Sequence, residues 1–239
     1  LARSTAAVLL VSTAVVSSTA IIDSPVGAAT GDLVMVTGTG DVSDGEDAAK
    51  QALFESWGWS VSIIDDSSSS GTYAAAAAAG DVFFVSDTAV TGATVVRDLD
   101  VGVVVEDADS WAAMLFAAAG SPVRDTATEI DVVATSHHVT SPFGVGALPI
   151  HTSPEDVTAW DSGTWALPTG VVTLARPSGS SDRDALIVAE QGAALHGGNT
   201  AAARRVWFPS DGVPVGVFLA DQETLLERSL EGVARLETS

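Results

Sequence analysis

Short apolar runs, each bounded by glycine or polar residues, recur through the first half of the chain. They occupy residues 33–37, 59–64, 82–85 and 101–105. Runs that are apolar at nearly every position are typical of strands covered on both faces, as in a parallel sheet. Residues 59–64 differ in that apolar residues alternate with serine before the run turns apolar. The sequence therefore predicts four strands before residue 110.

Helical patterns separate these strands. Ser43 stands three residues before Glu46, which is the spacing of a capping box, and apolar residues follow at helical intervals until Gly58. Further helices are predicted over 73–79, 110–119 and 222–236. Strands that alternate with helices predict right-handed crossovers around a parallel sheet, and hence an α/β fold.

The second half of the chain carries more strand signals. Strands are predicted over 130–134, 171–175, 185–189 and 205–208. Residues 141–168 contain four prolines and two tryptophans without a clear period, so we expect a long irregular excursion over the surface.

The stretch from Ser4 to Ile22 is uncharged. As a helix its 19 residues would span roughly 28 Å, close to the thickness of a bilayer core. Seven of them are Ser or Thr and nine are β-branched, which leaves a buried strand open as an alternative. We expect a retained segment that assembles or anchors the protein, as in pilin-type subunits; a removable signal peptide is the alternative.

The chain is predicted to have three parts. Residues 1–23 form the N-terminal segment, residues 24–31 are a linker, and residues 32–239 are one globular domain.

The composition is strongly acidic. There are 31 acidic residues against 10 basic ones, giving a formal net charge of −21, and Lys50 is the only lysine. Such a chain repels nucleic acid and anionic lipid headgroups, and it suits high salt, where the Debye length falls to about 3 Å. The absence of cysteine excludes disulfides, thiolate nucleophiles and Cys-ligated zinc. These features favour an extracellular or surface location in a halophile or another prokaryote with acidic proteins.

Several motifs together resemble a known family. They are residues 32–40, 47–66, 80–86 and 103–106, followed by 190–193 and 203–206. This series is similar to the ThuA-like, class I glutamine amidotransferase-like domains of secreted prokaryotic proteins, over residues 32–236, with a looser match at 122–166. The resemblance implies a flavodoxin-like, three-layer fold with a mostly parallel sheet and a strand order near 2-1-3-4. Amidotransferase chemistry is excluded, because the nucleophilic cysteine of that family is absent.

Two strand ends carry candidate catalytic residues. Ser86 follows the third strand but lacks the Gly-x-Ser-x-Gly elbow, so a strand-end cap is the favoured interpretation. Glu106 follows the fourth strand, and together with Asp107, Asp109 and His137 it could form an acid/base group. This is the strongest argument for an enzyme. Strand-end carboxylates are also common as helix caps and surface charges.

Other candidate sites have simpler explanations. The run from Gly38 to Gly40 is placed like a phosphate loop, but Asp41, Asp44, Glu46 and Asp47 would repel a phosphate, so we expect a tight turn with an acid-capped helix. Asp41 and Asp44 lack the ligand spacing of a calcium loop.

The roles of the histidines and of the two adjacent arginines also have more than one interpretation. Adjacent residues on an extended chain point to opposite faces, so His137 and His138 are expected to be hydrogen-bonded loop residues rather than a metal pair, and His151 and His196 lie elsewhere. Arg204 and Arg205 are expected to form either salt bridges within the chain or pairs with a neighbouring subunit. The six tryptophans are expected to be core and interface anchors rather than a platform for sugars.

The sequence therefore predicts a non-enzymatic extracellular structural or adhesive subunit, assembled through its N-terminal segment into a pilus-like filament or surface layer. Self-association is the expected interaction, with a glycan or host surface as a further partner and membrane contact before assembly. We expect no cofactor, metal or nucleic acid. The alternative is a secreted ThuA-like protein that binds or processes carbohydrate, with residues 1–30 as its signal peptide.

Overall fold

A computed structural model describes residues 31–43, 45–117 and 122–234. The N-terminal segment, most of the linker and Asp44 lie outside the described residues, so the expectations placed on them stay predictions. The strands are β1 (Gly31–Thr37), β2 (Trp59–Asp65), β3 (Val82–Val85), β4 (Gly102–Val105), β5 (Val123–Ala127), β6 (Glu129–Val132), β7 (Gly146–Pro149), β8 (Glu155–Asp161), β9 (Val171–Pro177), β10 (Arg183–Asp184), β11 (Leu186–Ala189) and β12 (Arg205–Trp207). The α-helices are α1 (Gly45–Ser56), α2 (Ser70–Ala79), α3 (Ala93–Val96) and α4 (Ala220–Ala234). None of the helices in these ranges is long and apolar enough to cross a membrane.

The fold is α/β with one large mixed sheet. Its order is β2-β1-β3-β4-β12-β11-β9-β6-β7. The first five strands in this order are mutually parallel, which confirms the predicted parallel sheet of this half and the order 2-1-3-4. From β11 onward neighbouring strands are antiparallel, and a separate three-stranded antiparallel sheet has the order β10-β8-β5. The second half of the chain therefore extends the parallel sheet with hairpin-like pairings.

Helices cover both faces of the parallel half. One core joins β1, β3 and β4 to α1 and α4, with Phe54 and Leu230 among its buried members. The other core lies on the opposite face, where Tyr73 of α2 and Val96 of α3 pack against the same strands. The helix α4 lies very close to β4, because a Cβ at Gly102 would come within 2.6 Å of Val233. Sheet residues alternate between the two cores, as the period of a strand requires.

Two predictions from the sequence are wrong. The helix expected over 110–119 is not formed in its described part: Ala108–Trp111 is a 3₁₀ turn, and Leu115 has a φ of 59°. Trp111 and Phe116 are both buried and their ring centroids lie 5.8 Å apart. Residues five apart on an α-helix point in different directions, so an irregular turn buries both rings where a helix would not.

The region 141–168 is also more regular than expected. It contains β7 and β8, and Pro149 ends β7 while Pro154 immediately precedes β8. The prolines therefore delimit the strands instead of preventing them. The partner of β8 is β5, a strand that the sequence pattern did not reveal because Arg124 and Asp125 interrupt its apolar residues.

Candidate functional site

Polar side chains converge at the carboxyl edge of the parallel strands. Gly38 follows β1, Ser86 follows β3, Glu106 follows β4 and Ser210 comes shortly after β12. Parallel strands that are neighbours in a sheet end at the same edge, and α/β proteins usually bind ligands there. A functional site is therefore expected at this edge.

Lys50 occupies the centre of this edge. It lies on the inward face of α1, and only 1% of its surface is exposed. Its Nζ lies 2.6 Å from Oε2 of Glu106 and 2.7 Å from Oδ1 of Asp87. The only lysine of the chain is thus a buried cation between two carboxylates.

One cation cannot fully neutralise the buried Glu106 and the partly buried Asp87. Burial lowers the pKa of Lys50, but the charges of Glu106 and Asp87 outweigh burial and hold that pKa above its ordinary value. Burial raises the pKa of Asp87, but the charge of Lys50 dominates and the pKa is lowered. Glu106 is fully buried; burial raises its pKa to about 7, against the effect of Lys50 and with the added repulsion of Asp87. At neutral pH the site therefore holds a protonated lysine, an ionised Asp87 and a Glu106 that is partly protonated.

Ser86 is part of the same buried cluster. Its Oγ lies 2.5 Å from Oδ1 of Asp47 and 2.9 Å from Oδ1 of Asp87, and it has no exposed surface. Asp47 also accepts a hydrogen bond from Oγ1 of Thr88 at 2.8 Å. Ser86 joins β3 to α1 through these contacts, and its hydroxyl is closed off from any substrate. The geometry agrees with a strand-end cap and not with a nucleophile.

A loop covers the carboxyl edge of the parallel strands. Residues 209–217, here called the strap, follow β12 and lead towards α4. Ser210 donates to Oε1 of Glu106 at 2.5 Å, and the backbone N–H of Gly212 donates to Oδ2 of Asp87 at 3.0 Å. The N–H of Val215 donates to Oε2 of Glu46 at 3.1 Å. Three carboxylates from three different segments therefore hold the strap over the buried lysine.

An open polar cleft lies beside this network. It has a volume of about 440 Å³ and is lined by Gly38, Thr39, Ser43, Asp47 and Thr88. A Cβ at Gly38 would collide with the carbonyl oxygen of Thr88, so glycine permits the close approach of the two turns. Hydroxyl groups and one buried carboxylate give this cleft hydrogen-bonding capacity without positive charge.

The turn after β1 has the predicted acidic character. Gly40 has a φ of 69°, and Oδ1 of Asp41 accepts hydrogen bonds from Oγ1 of Thr39 at 2.9 Å and from the N–H of Ser43 at 3.0 Å. These bonds lower the pKa of Asp41, chiefly through Ser43. The turn therefore uses its own carboxylate to satisfy the N–H groups that a phosphate loop would offer to an anion.

The acid/base group predicted around Glu106 does not form. Asp107 caps the 3₁₀ turn by accepting hydrogen bonds from Ser110 and from the N–H of Asp109, and burial raises its pKa to about 6. His137 lies instead against Glu190, with Nε2 3.1 Å from Oε1. Glu190 follows β11, at the amino edge of the antiparallel neighbour β12, and so lies at the opposite edge of the sheet from Glu106.

His138 and His151 have partners within the described part of the chain. His138 contacts Arg228 and Glu231, with 3.5 Å between its Nε2 and the glutamate, and His151 Nδ1 lies 3.2 Å from the carbonyl oxygen of Ala127. Burial lowers the pKa of both His137 and His151. His196 lies in a short 3₁₀ turn.

The two adjacent arginines point to different partners. Arg204 donates to Oε2 of Glu190 at 2.7 Å, so its salt bridge is internal. Arg205 is fully buried and donates to the carbonyl oxygens of Val101, Arg97 and Leu99.

Three tryptophans form a buried cluster around Trp111. The ring centroid of Trp111 lies 5.0 Å from that of Trp160 and 4.3 Å from that of Trp207. Trp59 is also in the core, whereas Trp165 is 44% exposed.

Sequence reasoning singled out Ser86 and Glu106 but missed Lys50 as their partner. A signal was present, because Asp47, Lys50 and Phe54 are spaced three and four residues apart and are the buried residues of α1. A single lysine in phase with a core phenylalanine indicates a buried cation. Asp87 and Ser210 lie in loops, where periodicity carries no such information.

Comparison with known proteins adds no assignment: no protein-family model matches this chain, and no curated protein matches it significantly. Within the described ranges, no group of three or more His, Asp or Glu side chains is arranged to hold a metal ion. The chemistry of the site must therefore be argued from the network itself.

Proposed function

We propose that this protein is a non-enzymatic, extracellular structural or adhesive subunit, built on a flavodoxin-like, ThuA-like domain and assembled through its apolar N-terminal segment. A pilus-like filament or a surface layer is the assembly that this arrangement serves. The observation that supports the proposal most directly is the closed network at the carboxyl edge. Lys50 and Glu106 are buried and bonded to each other under the strap.

Catalysis requires groups that reach a substrate. Glu106 and Ser86 have no exposed surface, and their polar atoms already bond to protein groups. A general acid or base must come within hydrogen-bond distance of the proton that it transfers. The residues best placed by the fold for catalysis are therefore used to join β3, β4, α1 and the strap, which is a structural role.

Assembly is the role that the rest of the sequence supports. An uncharged, apolar stretch at residues 4–22 adjoins a domain of strongly acidic composition. In high salt the repulsion between acidic copies is screened, while burial of apolar surface between copies stays favourable. The apolar segment supplies contacts between subunits, and the domain supplies the exposed, hydrated surface.

The test measures the mass of the full-length protein by sedimentation velocity in about 1 M salt, where the Debye length is about 3 Å. We expect the unsubstituted chain to form large assemblies. The double variant Leu9→Asp/Val15→Asp should remain monomeric, and the apolar control Leu9→Met/Val15→Ile should assemble normally. A monomeric parent chain, or equal assembly by the charged variant, would overturn the proposal.

The cleft favours one second candidate, a carbohydrate-binding role. Its lining combines three hydroxyl side chains with Asp47, and such groups can pair with sugar hydroxyls. Titration calorimetry against a panel of oligosaccharides tests this role. Binding heat that disappears in Thr39→Val and persists in a Thr152→Val control would establish carbohydrate binding at the cleft, whereas no heat with any sugar would exclude it for that panel.

A further inference from the structure

Among the described residues, the large sheet has one unprotected edge. Strand β2 lies at the end of the sheet, is seven residues long, and contains no proline and no charge before Asp65. The opposite edge is β7, which has four residues, starts at a glycine and ends at a proline. Short strands with proline are protected against further pairing, and long uncharged edge strands are not. The open edge is therefore β2.

The hydrogen-bond pattern identifies which main-chain groups β2 leaves available. The N–H of Asp66 donates to the carbonyl oxygen of Thr37, so alternate residues from Ser60 to Asp66 face β1. The intervening residues Val61 and Ile63 must direct their N–H and C=O groups away from β1. No described strand pairs with that side of β2.

A groove that could hold the side chains of an added strand lies beside these main-chain groups. On the α2 side of the sheet, Ser60 and Ser62 are exposed and border a groove of about 220 Å³. The small side chains of Ala76 and Ala79 form the helical wall of this groove. A peptide that adds a strand to a sheet gains affinity from main-chain hydrogen bonds and specificity from pockets for alternate side chains. The edge and the groove together have both features.

The chain itself contains a segment suited to this edge. Residues 4–22 carry no charge and no proline, and nine of these 19 residues are β-branched, which favours strands. The segment joins the domain at Gly31, which is paired in register with Trp59 at the start of β2. Each copy therefore carries an apolar segment of strand-favouring composition and, in its described domain, an open sheet edge.

We propose that the outer side of β2 is the docking site for the N-terminal apolar segment of a second copy of this chain, which adds to the sheet as an extra strand. This inference rests on the proposed role of that segment in assembly. Because the donor segment and the acceptor edge are different surfaces, the contact is heterologous, and its repetition produces an open chain of subunits.

Disulfide capture tests the docking site, since the chain has no cysteine of its own. One preparation carries Ser62→Cys on β2, and others carry Ser12→Cys, Ser17→Cys or Ser18→Cys in the segment. Mixed under assembling conditions and oxidised, they should form disulfide-linked dimers for at least one segment position, because a disulfide requires Cα atoms about 5.5–6 Å apart. The matched control Ser178→Cys, at an exposed serine far along the chain from β2, should yield at least tenfold less dimer.

The outcomes separate this inference from the proposed function. Assembly that depends on the segment, without capture at residue 62 by any of the three positions, would refute the docking site and leave the assembly role intact. A disulfide within one chain, in monomers that carry both cysteines, would place the segment on its own domain and also refute docking by a second copy. Capture at residue 62 that persists in the charged-segment variant, which should not assemble, would show that the captured contact does not build the assembly, and it would refute the docking site.

A backbone variant provides an independent readout. Ile63→Pro removes an N–H that points away from β1, and edge strands tolerate proline at such positions. Ile63→Ala removes a similar amount of side chain and keeps the N–H. We expect Ile63→Pro to reduce the assembled fraction at least tenfold relative to Ile63→Ala, at similar melting temperatures. Equal assembly of the two variants would contradict the proposal.

Discussion

Glu106 should make the stability of the domain fall as pH rises through neutrality. Its pKa is raised from 4.5 to about 7 in the folded protein, chiefly by burial. The folded state therefore binds a proton more tightly than the unfolded state, and stability is lost as pH rises between these values. Lys50 does not change this window, because its raised pKa lies well above it. Asp87 does not change this window either, because its lowered pKa leaves the carboxylate ionised at these pH values in both the folded and the unfolded protein.

The magnitude follows from the two pKa values. Between pH 6 and pH 8, linkage predicts a loss of about 1.3 kcal/mol from Glu106 and only about 0.4 kcal/mol from Asp107, whose pKa is about 6. In Glu106→Gln the amide can accept from Lys50 and donate to Ser210, so the network stays connected while its titrating group is lost. The variant should therefore keep only the smaller change.

Chemical denaturation followed by tryptophan fluorescence measures both proteins at pH 6 and pH 8 and at constant ionic strength. Asp107→Asn serves as the control that retains Glu106, and it should keep the larger change. Burial lowers the pKa of His137 and His151, and these groups oppose the slope equally in both proteins. An equal change of stability between pH 6 and pH 8 in wild type and in Glu106→Gln would therefore show that Glu106 is ionised throughout and that burial does not raise its pKa.

Three further substitutions test how the edge is held together. Lys50→Met leaves two buried carboxylates without a cation and should lower the free energy of unfolding by about 3–5 kcal/mol at pH 8 and by less at pH 6; equal losses at both pH values would contradict the coupling. Gly38→Ala places a Cβ against a backbone carbonyl and should cost about 1–3 kcal/mol by denaturation, whereas Gly144→Ala, with open space around it, should cost less than about 1 kcal/mol. Arg205→Met removes hydrogen bonds from a buried guanidinium to four carbonyl oxygens and should cost about 2–3 kcal/mol. Arg183→Met, at a partly exposed ion pair, should cost under about 1 kcal/mol, and similar losses would show that burial is not the deciding factor.

The parallel half of the fold was predictable because its signals are local. Each buried strand is a short apolar run, and α1 and α4 have a clear helical period with apolar residues on one side. The antiparallel half was less predictable. Strand β5 has alternating charged positions and is defined by its pairing with β8, 30 or so residues further on, which no local pattern shows. The 3₁₀ turn at Ala108–Trp111 has helical composition, but burial of Trp111 and Phe116 overrides that propensity.

The candidate site also contains residues that local sequence predicts and residues that it does not. Ser86 and Glu106 were identifiable because they end strands of a parallel sheet, and such ends meet at one edge. Their neighbours Asp87 and Ser210 come from loops whose approach depends on the whole fold. His137 was wrongly grouped with Glu106, because the sequence does not reveal that the chain reverses direction between β12 and β11. Proximity at a sheet edge can be inferred only where the strand directions are known.

The closed edge and the open edge of this domain suggest where its function lies. At the carboxyl edge, charged groups that could serve chemistry are bonded to one another, and removing Lys50 leaves Glu106 and Asp87 without a compensating cation. At β2, main-chain groups and small side chains are left available to another strand. Because its ionisable residues fix its own loops while hydrogen-bonding capacity is left at a sheet edge, we propose that this domain binds a polypeptide and does not transform a small molecule.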